Sequence, residues 1–98
     1  MQILKELLPQ VLSHLQHPEL QKRSRLVSEW PSIAGPRIAE HSRPVLRPDG
    51  ELLIWVDQSV LAFEINQKYR QSILKRTQAV LGEEAVQHVR VRVGQLRF

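Results

Sequence analysis

The spacing of apolar residues changes several times along this chain, and each spacing predicts an element. Ile3, Leu4, Leu7, Leu8, Val11, Leu12 and Leu15 recur at three and four residues, the stripe of an amphipathic helix. A helix is therefore expected over 1–16, kinked or restarted at Pro9. Pro18 suits a first helical position, and Leu20, Val27 and Trp30 fall on one side of a second helix that Pro31 should end. Gly35 and Pro36 mark a corner, "RIAEH" a short helical turn, and Pro44 forces extended backbone at Arg43. The period then drops to two. "RPVLRPDGELLIWVD" reads as a hairpin around Pro48, Asp49 and Gly50, with a left-handed last position. That loop sets Arg47 against Glu51, Val45 against Leu53 and Arg43 against Trp55. Leu46, Leu52, Ile54 and Val56 share the other face, the expected core. Leu61, Ile65, Tyr69 and Ile73, four apart, predict a long and bent helix with Asp57 or Ser59 as its cap and Gly82 as its stop. "VQHVRVRVG" alternates again, with Val89, Val91 and Val93 inward and His88, Arg90 and Arg92 outward.

In order, these are helix, helix, strand, strand, helix and strand. The expected architecture is a single α+β domain over 1–98: a three-stranded sheet with helices packed on one face and the helix over 1–16 as an added element. This is a KH-like (K-homology) arrangement of type II order, but the GxxG loop with which such domains clamp nucleotides is missing. With 98 residues and 42% hydrophobic content, the chain can bury one modest core. There is no cysteine, so neither a disulfide framework nor a thiolate metal site is available. The N-terminal stripe is broken by Lys5, Glu6, Pro9 and Gln10, which fits neither a signal peptide nor a membrane span. A cytoplasmic location with no membrane partner is expected.

Charge sharpens this outline. The net charge is +4, and it is segregated. Lys22, Arg23, Arg25, Arg37, Arg43 and Arg47 face only Glu29 and Glu40 in their stretch, and Lys68, Arg70, Lys75 and Arg76 lie in a stretch without acids. Such segregation can build a basic face that attracts a phosphate backbone. The open sheet face is expected to carry Arg43, Arg47, Trp55, Arg90 and Arg92, and an aromatic beside arginines can stack bases while they hold phosphates. All these cations together with Trp55 are the candidate nucleic-acid contacts. Trp30 is expected to be core at the buried end of its helix. Catalytic chemistry finds no support: His14 and His17 lack a third ligand, Glu40, His41 and Ser42 cannot converge on one atom from neighbouring positions, and Glu83 and Glu84 read as loop charges. No cofactor, metal or small-molecule substrate is expected.

"WPSIAGPRIAEHSRP", "DGELLIWVDQSVLAFEI", "ILKRTQAVLG" and "VRVRVG" together resemble the DciA family of bacterial replicative-helicase loaders. Trp30, Gly35, Ile38, Ala39, His41, Ser42, Pro44, Asp49, Gly50, Leu52, Ser59 and Gly82 fall where that pattern has its tryptophan, glycines and core positions, over roughly 20–94. The resemblance implies a KH-like domain that contacts the DnaB-type replicative helicase, binds single-stranded DNA and helps load the helicase, as a nucleoid-associated cytoplasmic factor and not an enzyme. The absence of a GxxxxGK loop agrees that the chain is no ATPase. Leu61 departs from the pattern, since many members carry a tryptophan there. Many also carry a flexible tail that helps grip the helicase, whereas this sequence ends at Phe98. The alternative from another class is an RNA-binding KH-like module associated with ribosomes, for which structured RNA should compete better than single-stranded DNA.

Overall fold

A computed structural model describes residues 18–96, with side chains from 21 onward. The helix expected over 1–16, with His14 and His17, lies outside the described residues. Helix α1 spans Pro18–Ala34, α2 Pro36–Glu40, strand β1 Ser42–Leu46, β2 Glu51–Val56, α3 Ser59–Glu64, α4 Arg70–Leu81 and β3 His88–Val93, with a π-helical turn at Ile65–Tyr69 between α3 and α4. The three strands form one sheet in the order β1-β2-β3, antiparallel between β1 and β2 and parallel between β2 and β3. It is an α+β fold with a mixed sheet, compatible with the KH-like type II order.

The hairpin follows the sequence pattern residue for residue. Arg43 pairs with Trp55 and Val45 with Leu53, Arg47 N donates to the Glu51 carbonyl at 2.9 Å, and Gly50 takes φ +85° at the last loop position. Alternation then sorts the faces. Leu52, Ile54 and Val56 are fully buried beneath Leu26, Trp30 and Ile33 of α1, Leu61 of α3, Ile65 of the π turn and Ile73 of α4. Burying side chains of this size contributes roughly 1.5–3 kcal/mol each.

Four local expectations need correction, beginning with Val27, which turns away from the core while Leu26, Trp30 and Ile33 line it. Helix α1 runs through Pro31 to Ala34. Pro31 is exposed, and the carbonyl four residues back belongs to Val27, which is 61% exposed. Water can take the bond that the proline cannot donate, so the helix tolerates it. Neither Asp57 nor Ser59 caps α3, whose N-cap is Gln58 with no side-chain hydrogen bond. Asp57 is instead held at the strand end, its N–H donating to the His41 carbonyl at 3.1 Å and its carboxylate 3.2 Å from His41 Nδ1. The expected long helix is present and continuous over 59–81, with the π turn inside it. Steps of four residues drift about 40° each around an α-helix, so Leu61, Ile65, Tyr69, Ile73 and Thr77 would wander off one face; a wider turn brings them back. Finally, Val93 is 51% exposed at the outer edge of the sheet, although its in-register neighbour Val56 is buried, whereas Val89 is buried and Val91 half-buried.

Trp30 ties these pieces together. It is 3% exposed, and its Nε1–H donates to Ser42 Oγ at 2.9 Å, while Ser42 Oγ donates to the Ile38 carbonyl at 2.6 Å. One indole thus fastens α1 to α2 and to the first residue of β1. Gly35 makes the corner between the helices at φ 91°, ψ 151°, a conformation essentially restricted to glycine.

Candidate nucleic-acid interface

The sheet face away from the helices carries every second residue of the three strands. Register sets Arg43 of β1 and Arg92 of β3 on either side of Trp55 in β2. Neighbouring strands lie about 4.8 Å apart, which brings both guanidinium groups within reach of the indole face or of a phosphate beside it. Trp55 is half-buried and lies down on the sheet because Gly94 follows β3. A Cβ on Gly94 would stand 2.9 Å from Trp55 Cζ3, so any larger residue would lift the ring. Leu53 sits between Val45 and Arg90 in register and is 6% exposed, as expected where long arginine stems lie across a sheet.

Two acids, Asp49 and Glu51, border this basic face. Glu51 is 8% exposed, with Oε2 3.3 Å from His88 Nε2 and 3.7 Å from Arg90 Nε. Its own N–H donates to Asp49 Oδ1 at 3.1 Å, which closes the hairpin loop. Arg90 is therefore held on its side toward the hairpin loop. Arg47, Trp55, Arg90 and Arg92 border an open depression of about 520 Å³, together with Leu53 and the two carboxylates of Asp49 and Glu51. Arg47 also borders a second depression, of about 150 Å³, which it shares with Lys22 and Arg23 of α1 and with Glu84. The hairpin tip thus makes one path of cations from the sheet face round to α1.

The remaining candidate cations lie elsewhere. Arg37 of α2 binds Glu64 of α3, Nη2 to Oε2 at 2.6 Å. This hydrogen bond holds the Glu64 carboxyl below its ordinary range, with Lys68 adding a smaller pull in the same direction, and raises the Arg37 guanidinium further. Arg70 donates from Nε and Nη2 to the Val89 carbonyl at 3.1 and 2.5 Å. Arg76 Nη1 donates to the Ile33 carbonyl at 3.2 Å, near the end of α1. These three arginines join elements to one another. Arg25 is exposed on α1, Lys68 on the π turn and Lys75 on α4, and none of them borders either depression. The structural glycines and proline stand at their corners: Gly35 between helices, Gly50 in the hairpin, Gly82 ending α4, and Pro44 in β1. Gly94 and Glu51 are the site residues that sequence reasoning missed. The glycine ending "VRVRVG" was the one available signal for the first.

Over residues 3–91 the chain matches the family described as Dna[CI] antecedent, DciA. The chain belongs to the DciA family. The match spans nearly the whole sequence, from the N-terminal stripe to β3. The DciA family is associated with loading of the DnaB helicase and is a family of accessory factors, not of enzymes. Its members imply a DnaB-type helicase partner. No curated protein matches the chain. Among the described residues no helix is long and apolar enough to cross a membrane, and no three histidines or carboxylates gather to hold a metal.

Proposed function

We propose that this chain binds the DnaB-type replicative helicase and single-stranded DNA and promotes loading of the helicase, acting at the nucleoid in the cytoplasm. The observation that carries the DNA half is the placement of Trp55 between Arg43 and Arg92, with Arg47 linking that platform to Lys22 and Arg23. A base stacked on an indole contributes about 1–3 kcal/mol, and cations alongside follow the backbone without reading sequence. The strand would cross the sheet at Trp55 and leave over the hairpin tip. Arg37, Arg70 and Arg76 act within the fold, and Lys68, Lys75 and Arg25 add only diffuse attraction.

Binding of labelled oligothymidine, followed by fluorescence anisotropy over a range of salt, tests this. Trp55→Ala should weaken binding about tenfold or more, at the lower middle of the stacking range. Arg47→Ala and Arg92→Ala should each lower the salt slope by about 0.7 for one lost phosphate contact. Lys75→Ala should do neither. Wild-type binding by Trp55→Ala and Arg47→Ala together, with a loss for Lys75→Ala, would move the interface to the helical layer. Structured RNA outcompeting oligothymidine would favour an RNA-binding module. Co-elution with the helicase on size exclusion tests the protein half.

A further inference from the structure

The two edges of the sheet are finished differently. In β1, Arg47 N–H donates to the Glu51 carbonyl and the His41 carbonyl accepts from Asp57, so odd-numbered residues turn their backbone groups toward β2 and Ser42, Pro44 and Leu46 turn theirs outward. Pro44 sits at the centre of that outer edge and has no N–H to offer, the usual way of blunting an edge strand. In β3, Gly94 N–H donates to the Val56 carbonyl at 2.8 Å. Arg92 and Arg90 share its direction, and Val89, Val91 and Val93 turn their N–H and C=O groups away from the sheet. The two arginine bonds from Arg70 occupy the Val89 carbonyl. No backbone hydrogen bond reaches Val91 or Val93 from that side among the described residues. Among the described residues the second half of β3 is thus an open edge, and Val93 is 51% exposed beside it.

We infer that the Val91–Val93 edge of β3 takes an extended peptide of a partner protein as a fourth strand, and that this peptide alternates acidic and apolar residues. The alternation follows from the pleat. On the open face the added strand would lie beside Arg90 and Arg92, and on the helical face beside Val91 and Val93. The same charges decide against a second copy of this chain. Antiparallel self-pairing would set the Arg90 and Arg92 rows against each other, and like charges on adjacent strands are destabilising. This site goes beyond the DNA reading, because main-chain pairing at the edge needs neither Trp55 nor Arg47.

The test is an amide NMR titration of the full chain with a short blocked peptide of alternating glutamate and valine. The Val91 and Val93 amides should shift and gain protection from exchange. Methylating the peptide nitrogens that face β3 leaves its charge unchanged, and the loss of those donors should weaken binding about tenfold. A lysine-for-glutamate peptide should bind at least about tenfold more weakly. Val93→Pro, which removes an outward donor, should lose the peptide and keep oligothymidine binding, so that the edge and the DNA platform fail separately. Equal binding of the methylated peptide, shifts confined to the Trp55 face, or concentration-dependent dimerisation through β3 would each overturn the inference.

Discussion

Replacing Ser42 by alanine removes a single oxygen, and the structure says what that oxygen does. It accepts from Trp30 Nε1 and donates to the Ile38 carbonyl, in a place where Ser42 is 2% and Trp30 3% exposed. In Ser42→Ala the indole N–H has no partner and no water to replace it, which costs about 1–3 kcal/mol. The Ile38 carbonyl adds little, because it still accepts from His41 N–H at 3.1 Å. Trp30→Phe removes the donor but leaves a smaller side chain in a full core, at about the same cost. In the double variant the stranded N–H is gone. Its destabilisation should therefore fall short of the two single costs combined by about 1 kcal/mol. Urea unfolding of the four proteins, with a common m value, reads these differences directly. A Ser42→Ala midpoint within about 0.5 kcal/mol of the parent, or strict additivity in the double variant, would refute the role given to this bond.

Gly94→Ala should push the Trp55 ring off the sheet, shifting the Trp55 indole resonance and weakening oligothymidine binding about fivefold while the urea midpoint hardly moves; an unmoved resonance would contradict the close contact. Gly35→Ala meets nothing within 4 Å, so any loss comes from φ 91° alone; urea unfolding should show about 1–3 kcal/mol, and a neutral result would mean that the corner relaxes. The Arg37–Glu64 pair makes a pH prediction. The Glu64 pKa is lower in the folded chain than its ordinary 4.5, so its contribution is present above about that pH and is lost as pH falls through the folded value. The difference in urea midpoint between the parent and Glu64→Gln should therefore shrink toward zero as pH falls below this range; a constant difference would show that the pair is not titrating.

Where one face of an element is buried and the period is short, the sequence was enough to place side chains. The hairpin shows this. Period two leaves only two faces, Asp49 and Gly50 set the loop, and a one-residue slip would have put Leu52 and Ile54 in water. The misplacements at Pro31, Asp57 and Val93 have a common cause. Each depends on what surrounds the residue: whether the carbonyl behind a proline faces water, whether a carboxylate has found a histidine across a corner, and whether a strand lies at the edge of its sheet. None of these is a property of the local pattern.

The same distinction explains which cations came together. Arg43 and Arg47 are more than forty residues from Arg90 and Arg92 along the chain, yet all four share the sheet face because strands keep alternate residues on one side and register aligns them. Lys68, Arg70, Lys75 and Arg76 are close in sequence, and the helix scatters them by turning about 100° per residue. Arg70 reaches β3, Arg76 reaches α1, and Lys68 lies near Glu64. Linear clustering of charge was therefore a poor guide, whereas charge at period two beside an aromatic was a good one. Glu51 escaped notice for a related reason. At the hairpin loop it read as a solvated end, but its two neighbours on β3, His88 and Arg90, come from a parallel pairing that no local signal announces. By holding Arg90 toward the hairpin loop, that acid leaves Arg92 as the β3 cation beside Trp55, and so Arg92→Ala should cost more DNA affinity than Arg90→Ala.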